Sequence, residues 1–328
     1  MKIYIFCHIG AKRPSGGVKI LFEYAQALRE CGWDASILIP GAHLYPSDCP
    51  KDYKPGWFET NVPVYDDIRV VTKDDIVVMH EEGIWCYEHI ALYRPRMLMI
   101  NQGLTSSIMN NVGMNITYDY AKRVYDECEA VITISEAIAE GVETIFGVDK
   151  SKIYTIKNPV DEFFHPEVKE NNILVMNKQP DNPAAVMLLK IIDSRYEGWQ
   201  IKHIRNMTLS EVAYQMSKAK IFLFLCSALG EGSSLPPVEA ALSGCKVIGY
   251  TGVGSGDYFK EPLFTEIAYN DIGGFVKAID KEVDHSKLIE PLSTHEIYQK
   301  SIAALRAERS RDNFTRIVGQ VFGEIING

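Results

Sequence analysis

A small polar loop flanked by two glutamates follows an apolar run in the second half of the chain. The segment ALGEGSSLPPVEAALSGCKVIGY, residues 228–250, comes directly after IFLFL. Pro236 and Pro237 lack an N–H and fix φ at the start of a helix, so the backbone donors there are mainly those of residues 233–235 and 238. The amides and the positive dipole end of a helix N-terminus favour a phosphate. The segment therefore predicts an anion site.

The two glutamates could act with that site. Glu239 is placed in the first turn of the expected helix, which Gly244 ends, and Glu231 lies eight positions earlier on the loop. A carboxylate at 239 could accept both hydroxyls of a ribose whose phosphates lie on the neighbouring amides, and Glu231 could accept hydroxyls of a sugar. The alternative, which spacing alone favours, is that Glu239 complements the helix dipole and Glu231 is a solvated loop residue.

Strand and helix patterns alternate through both halves of the chain. The opening reads as a strand KIYIF, a glycine-rich turn, a helix and a second strand ASILIP, which is a βαβ unit. Short apolar runs of the kind found in parallel sheets follow at IVVM, MLMI and AVITIS, and after a proline-containing connection at 153–166 the pattern restarts with ILVM, KIFLFL and KVIGY. We predict an α/β protein with two doubly wound sheets, in which ligands bind beyond the carboxyl ends of the strands.

Composition restricts the class of protein further. A chain of 328 residues exceeds the size of one core, so two domains are expected. The net charge of −9 and the lack of a long basic cluster argue against binding duplex nucleic acid. Seven scattered cysteines without C-x-x-C spacing indicate neither a disulfide framework nor a zinc site. No apolar run reaches the ~20 residues of a membrane span, and MKIYIFCHIG reads as a buried strand rather than a signal peptide, so we expect a cytoplasmic protein.

Four segments in order resemble a known enzyme family. EGSSLPPVEAALSGCKVIGY resembles the donor-binding motif of retaining glycosyltransferases of family four, Glu-Gly-x-Gly-Leu-Pro-x-x-Glu-Ala, with Ser234 in place of a usual glycine. SGGVKILFEYAQALRECGWDASIL resembles the family's N-terminal glycine loop and first helix. AVITISEAIAEGV resembles its valine-rich strand, and IKNPVDEFFHP resembles its interdomain connection.

The resemblance implies a GT-B fold, two Rossmann-like doubly wound domains that face each other across a cleft, with a C-terminal helix that crosses back. On this basis residues 1–160 are expected to form an acceptor-side domain. Residues 161–295 are expected to bind the nucleotide-sugar donor, and residues 296–328 to form a helical tail that packs back on the N-terminal domain.

The same resemblance assigns roles on the donor side. Glu239 is expected to hold the ribose and Glu231 to contact the donor sugar. The loop GVGSGDYF at 252–259 resembles a family glycine loop near the donor, and an ordinary turn is the alternative. The expected donor-binding residues are Gly16, Gly17, Ser233, Ser234, Leu235, Glu239 and Gly254.

Two further segments depart from the family pattern. An Arg and a later Lys usually follow the first strand of the second domain, whereas this chain has Asn177 and Lys178; Lys178 is our candidate cation, with a solvated loop lysine as the alternative. Gln102 stands where the family often has a histidine and could donate to an acceptor hydroxyl, but it cannot act as an acid or base. His80, in a segment that resembles the family's His-Glu-Pro, is either catalytic or structural. The expected catalytic residues are Glu231, Lys178 and His80.

The expected function is transfer of a sugar from a nucleotide-diphosphate donor to a hydroxyl of a glycan or lipid-linked glycan, with retention, in polysaccharide biosynthesis. No metal or other cofactor is expected beyond the donor as co-substrate. The sequence leaves undecided whether the protein contacts a membrane peripherally. The alternatives are a degenerate sugar-nucleotide-binding protein and a sugar-nucleotide epimerase of the same fold.

Overall fold

Two compact units make up the protein. The computed structural model describes residues 1–7, 15–40, 55–56, 58–106, 116–226, 232–250, 252, 254–288 and 296–328. Unit 1 comprises residues 1–158 and 312–328, and unit 2 comprises residues 159–311. The chain therefore passes between the units at 158/159 and at 311/312.

Strands and helices alternate in both units. The strands are β1 (Ile3–Phe6), β2 (Ala35–Leu38), β3 (Val64–Tyr65), β4 (Ile76–His80), β5 (Arg96–Asn101), β6 (Ala130–Thr133), β7 (Ile153–Thr155), β8 (Glu170–Asn177), β9 (Gln200–His203), β10 (Ala219–Leu225), β11 (Lys246–Gly249) and β12 (Phe264–Glu266). The helices are α1 (Gly16–Glu30), α2 (Tyr87–Ala91), α3 (Tyr118–Glu127), α4 (Glu136–Phe146), α5 (Pro183–Arg195), α6 (Leu209–Lys218), α7 (Leu235–Leu242), α8 (Ile272–Leu288), α9 (Glu296–Glu308) and α10 (Arg311–Asn327).

Unit 1 contains a parallel sheet with strand order β3-β2-β1-β4-β5-β6-β7. All four residues of β1 and all five of β4 are buried, because helices cover both faces of the sheet. The direction of the strand order reverses between β1 and β4. At such a reversal the connections diverge and leave a crevice beyond the strand ends.

Unit 2 contains a parallel sheet with order β12-β11-β10-β8-β9, which reverses between β10 and β8. Alternate residues of its strands pack on opposite faces. Val175 and Leu223 belong to the core shared with α5 and α8. Leu174 and Phe222 belong to the core shared with α6, α7 and α9. The predicted α/β class is confirmed in both units.

Local signals set several helix ends. Thr208 and Glu211 form a capping box, in which each side chain accepts from the other residue's backbone N–H. Gly244 follows α7 with φ of +82°, a conformation that glycine adopts without steric cost, as expected for a helix stop.

The predicted tail 296–328 is divided between the units, with residues 296–311 in unit 2 and residues 312–328 in unit 1. In unit 2, the Tyr298 hydroxyl donates to the Cys245 carbonyl at 3.0 Å, and Arg306 donates to the Phe164 carbonyl at 2.7 Å. These bonds and the buried Tyr298 attach α9 to the core of unit 2. In unit 1, α10 packs on α1 through Tyr24 and Phe314, whose ring centroids are 5.0 Å apart.

Candidate functional site

The loop that enters α7 lies beyond the carboxyl end of β10. Ser234 is the N-cap of α7, and Pro236 lies in the first turn. Glu239 is thus the fifth residue of the helix, not a first-turn residue as predicted, because the helix begins at Leu235. The dipole of a helix weakens beyond its first turn. Compensation of the dipole therefore explains Glu239 less well than the sequence suggested.

Residues 232–235, which we call the donor loop after the role that the family resemblance implies, pack against residues 254–258. A Cβ on Gly254 would lie 2.1 Å from the Gly232 carbonyl oxygen, so only glycine permits this approach. The Ser255 hydroxyl accepts from the Ser234 N–H at 3.3 Å and donates to the Gly232 carbonyl at 3.2 Å. The Tyr258 hydroxyl donates to the Ser234 carbonyl at 2.7 Å. The structure thus brings together Ser234 and Gly254, two of the predicted donor-binding residues.

These contacts change which donors the loop can offer. The backbone N–H of Ser234 already bonds to the Ser255 hydroxyl. The Ser233 hydroxyl is buried and has no hydrogen-bond partner within the described part of the chain. A buried hydroxyl without a partner costs about 1–3 kcal/mol. Ser233 is therefore suited to donate to a ligand.

Glu239 is only 8% exposed. A charged carboxylate is rarely buried unless other groups stabilise it. The other predicted glutamate, Glu231, lies outside the described residues.

Lys178 lies at the carboxyl edge of the same sheet. Its backbone N–H donates to the Leu225 carbonyl at 3.0 Å, which continues the pairing of β8 with β10. Its Nζ lies 5.7 Å from the centroid of the Phe224 ring, on the face of the sheet that α7 covers. The preceding Asn177 accepts from the Gln179 N–H at 2.7 Å and acts as a turn residue. Lys178 is thus beside the strand that leads to the donor loop.

Two predicted residues of unit 1 contact each other. Gly16 and Gly17 begin α1, and both are exposed. The Gln102 side chain donates to the Gly17 carbonyl at 3.2 Å, and a Cβ on Gly17 would lie 3.5 Å from its Oε1. Gln102 therefore connects the end of β5 to the start of α1, across the end of β4.

His80 has a structural role in this arrangement. Its Nδ1 accepts from the Glu82 N–H at 3.3 Å, so the imidazole caps the 3-10 turn Glu81–Cys86. The ring is 4% exposed, and its centroid lies 6.4 Å from that of Phe6. The catalytic assignment of His80 stays a prediction, and these contacts are those of a buried capping residue.

Glu81 is a buried acidic residue that sequence reasoning did not select. It is 3% exposed, and its carboxyl group accepts from the backbone N–H groups of Gln102 and Gly103. Burial raises its pKa to about 8, against the opposing effect of those hydrogen bonds. The pair Glu81 and Glu82 after a strand was visible in the sequence, but nothing there indicated that the first of them is buried.

Replacing Glu81 by glutamine should flatten the pH dependence of stability. Because the folded-state pKa lies above the ordinary 4.5, the stabilising contribution of the neutral acid is complete below pH 4.5 and is lost as the pH rises towards 8. The loss is about 1.4 kcal/mol per pH unit. Urea unfolding of Glu81→Gln should show a stability advantage over the wild type that grows between about pH 5 and about pH 8. The exposed Glu140→Gln is the control, and an equal advantage at both pH values would contradict the account.

One curated protein shares detectable sequence similarity over most of the chain. It is an α-1,6-glucosyltransferase of Actinobacillus pleuropneumoniae serotype 7 (strain AP76), 25% identical over 256 residues, which are 75% of this chain and 72% of that protein. No family model matches the chain.

Solved structures resemble the whole chain. A glycosyltransferase from Rickettsia africae ESF-5 aligns with a TM-score of 0.68 at 14% identity over 99% of this chain and 98% of its own. Anabaena Alr3699/HepE in complex with UDP aligns with a TM-score of 0.70 at 11% identity over 99% and 100%. The chain has the GT-B fold. Each of its two Rossmann-like units contains one of the doubly wound sheets described above.

The described residues contain no group of three or more His, Cys, Asp or Glu side chains placed to hold a metal ion. Within the same residues, every helix is too short or too polar to cross a bilayer.

Proposed function

We propose that this protein is a glycosyltransferase that moves a sugar from a nucleotide-diphosphate donor to a hydroxyl of a glycan or lipid-linked glycan. One observation carries the proposal: the donor loop and residues 254–258 form a bonded pair of loops beyond β10 and β11, next to the buried Glu239. The similarity to an α-1,6-glucosyltransferase and to GT-B glycosyltransferases supports it.

UDP-glucose is the first donor to test. The Anabaena neighbour has been solved with UDP and with UDP-glucose, and the curated relative is a glucosyltransferase. Glu239 would accept the ribose hydroxyls. The Ser233 hydroxyl and the N–H groups of Ser233 and Leu235 would donate to the phosphates, while the Ser234 N–H keeps its bond to Ser255.

Charge on the diphosphate drives the chemistry that we propose. As the glycosidic bond breaks, negative charge accumulates on the leaving phosphates, and fixed donors and cations aimed at it lower the barrier. Lys178 supplies a positive charge at the carboxyl edge of β8, so the proposal needs no metal ion. The sugar is transferred with retention, and the leaving phosphate accepts the proton of the acceptor hydroxyl. Gln102 is assigned to the acceptor side and Glu231 to the donor sugar.

A measurement of donor turnover tests the proposed function. Purified protein is incubated with UDP-glucose, UDP-N-acetylglucosamine, GDP-mannose or ADP-glucose and a mixture of glucoside acceptors, and release of nucleoside diphosphate is measured. We expect release that depends on both one donor and an acceptor, and that falls in Lys178→Ala. Donor binding without release would instead identify a binding protein, and a changed sugar without acceptor would identify an epimerase.

Tyr258→Phe should weaken donor binding modestly. The substitution removes the hydrogen bond from the hydroxyl to the Ser234 carbonyl, while the ring keeps its edge contact with Phe264 at 5.5 Å. A neutral hydrogen bond contributes about 1 kcal/mol, which corresponds to about fivefold in affinity. Calorimetric titration of UDP into the variant measures this. Tyr214→Phe, at an exposed position on α6, should bind like the wild type, and an unchanged affinity in Tyr258→Phe would contradict the positioning role.

A further inference from the structure

A pocket in unit 2 lies beyond the carboxyl ends of β8, β10 and β11. The space that it encloses together with the adjoining open solvent is about 330 Å³. It opens between the starts of α5 and α8. Its principal lining residues are Gln179, Asn182, Leu225, Tyr250, Tyr269 and Asn270.

This pocket lies mainly on the face of the sheet opposite the donor loop, although Cys226 and Tyr250 of its lining pack with the core under α6 and α7. Its apolar floor includes Leu188, Leu225 and Phe275, which belong to the core under α5 and α8. The donor loop leads into α7, which packs on the other face together with α6. The pocket also lies where the strand order reverses between β10 and β8, the position at which doubly wound sheets bind ligands.

The polar groups of the pocket form one connected network. The Asn182 side-chain amide donates to Gln179 Oε1 at 2.7 Å and to Asn270 Oδ1 at 2.9 Å. The Tyr269 hydroxyl also donates to Gln179 Oε1, at 2.7 Å. Each of these bonds uses a carboxamide oxygen as acceptor. The NH₂ groups of Gln179 and Asn270 therefore remain as donors at the pocket wall, since no described residue accepts from them.

The pocket is suited to a neutral ligand. None of its lining residues is charged. The first turns of α5 and α8 have few backbone N–H groups left to bind an anion. The Asn182 side chain already accepts from the Ala184 N–H, and the Asp271 carboxylate accepts from the Gly274 N–H. The carboxylate of Asp271 would also repel a phosphate.

Two aromatic rings define the shape of the ligand. The centroids of Tyr250 and Tyr269 are 5.2 Å apart, and the ring planes are inclined by 55°. Inclined rings do not form a slot that could hold a flat nucleobase between them. A single exposed ring face, as on the 37% exposed Tyr269, suits the apolar C–H face of a pyranose.

The backbone conformation of Asn270 directs its side chain towards the pocket network. Asn270 has φ of +62°, in the left-handed region, which asparagine adopts more readily than other non-glycine residues. Its carboxamide oxygen accepts from the Asn182 side chain in this conformation.

We propose that this pocket binds one neutral pyranose residue of a glycan, at a site distinct from the donor loop. The inference goes beyond the proposed function, since it requires no catalysis. In an enzyme that extends glycans, such a site would hold a sugar of the chain being extended.

Saturation-transfer NMR with methyl α-D-glucopyranoside and the full chain tests the proposal. At about 10 mM probe, which detects millimolar binding, we expect a signal in the wild type that is lost in Tyr269→Ala. The signal should persist in Tyr214→Ala, whose tyrosine is 56% exposed on α6. Asn270→Gly permits the same left-handed backbone and removes one carboxamide, so it should keep or raise the melting temperature and weaken the signal.

Two controls separate this proposal from the function of the donor loop. Glu239→Ala should keep the glucoside signal, and Tyr269→Ala should keep its affinity for UDP. No signal in the wild type, an undiminished signal in both Tyr269→Ala and Asn270→Gly, or a signal with uridine but none with the glucoside would overturn the proposal.

Discussion

Replacing Glu239 by alanine is expected to lower kcat/KM for the nucleotide-sugar donor by about 10²–10³-fold. A carboxylate that accepts two ribose hydroxyls makes two charge-assisted hydrogen bonds, each contributing about 1.5–3 kcal/mol. Loss of about 3–4 kcal/mol corresponds to that factor. Release of nucleoside diphosphate at varied donor concentration measures it, and UDP titration should show a parallel loss of affinity.

The matched control is Glu197→Ala, which removes an exposed glutamate of the same unit. It should leave donor turnover unchanged. If Glu239→Ala stays folded and turns over donor within about twofold of the wild type, the ribose role of Glu239 is wrong.

Gly254→Ala is expected to disrupt the donor loop while leaving both cores folded. The added Cβ would lie 2.1 Å from the Gly232 carbonyl oxygen and 2.6 Å from the Gly232 Cα, and these backbone atoms cannot rotate away as a side chain could. The two loops would have to separate, which would strain the bonds of Ser255 and Tyr258 to the donor loop. We expect UDP affinity to fall by at least about 10²-fold, since a clash of this size outweighs single hydrogen bonds.

Gly256→Ala is the control for Gly254→Ala. A Cβ at 256 meets no atom within 4 Å, so this variant changes the same loop without a clash. It should bind UDP like the wild type. Equal affinities in the two variants would show that the close approach of the loops has no part in donor binding.

Much of the fold could be predicted from the sequence because local patterns determine it. Buried parallel strands give continuous apolar runs, such as IVVM in β4 and FLFL in β10, whichever helices cover them. The capping box at Thr208 and the glycine stop at Gly244 depend on neighbouring residues only. Long-range packing is different: the sequence predicts a helical tail at 296–328, but it does not show that α9 belongs to unit 2.

The sequence predicted residues of the candidate site only in segments that resemble a family motif. The donor loop and Gly254 come from the family resemblance, and the structure brings them into contact. The roles of Ser255 and Tyr258 depend on bonds across more than 20 residues of chain, which leave no periodic signal. Glu81 is similar, since its carboxyl group is buried by a segment that follows the next strand. Contacts of this kind cannot be predicted from sequence patterns and are seen only in the structure.

Calorimetric titration of UDP into the wild-type protein tests the central claim most directly. The account predicts binding of one UDP per chain that is lost in Glu239→Ala and Gly254→Ala and retained in Gly256→Ala. The absence of binding at about 1 mM UDP, or binding that Glu239→Ala leaves undiminished, would contradict the assignment of the donor site.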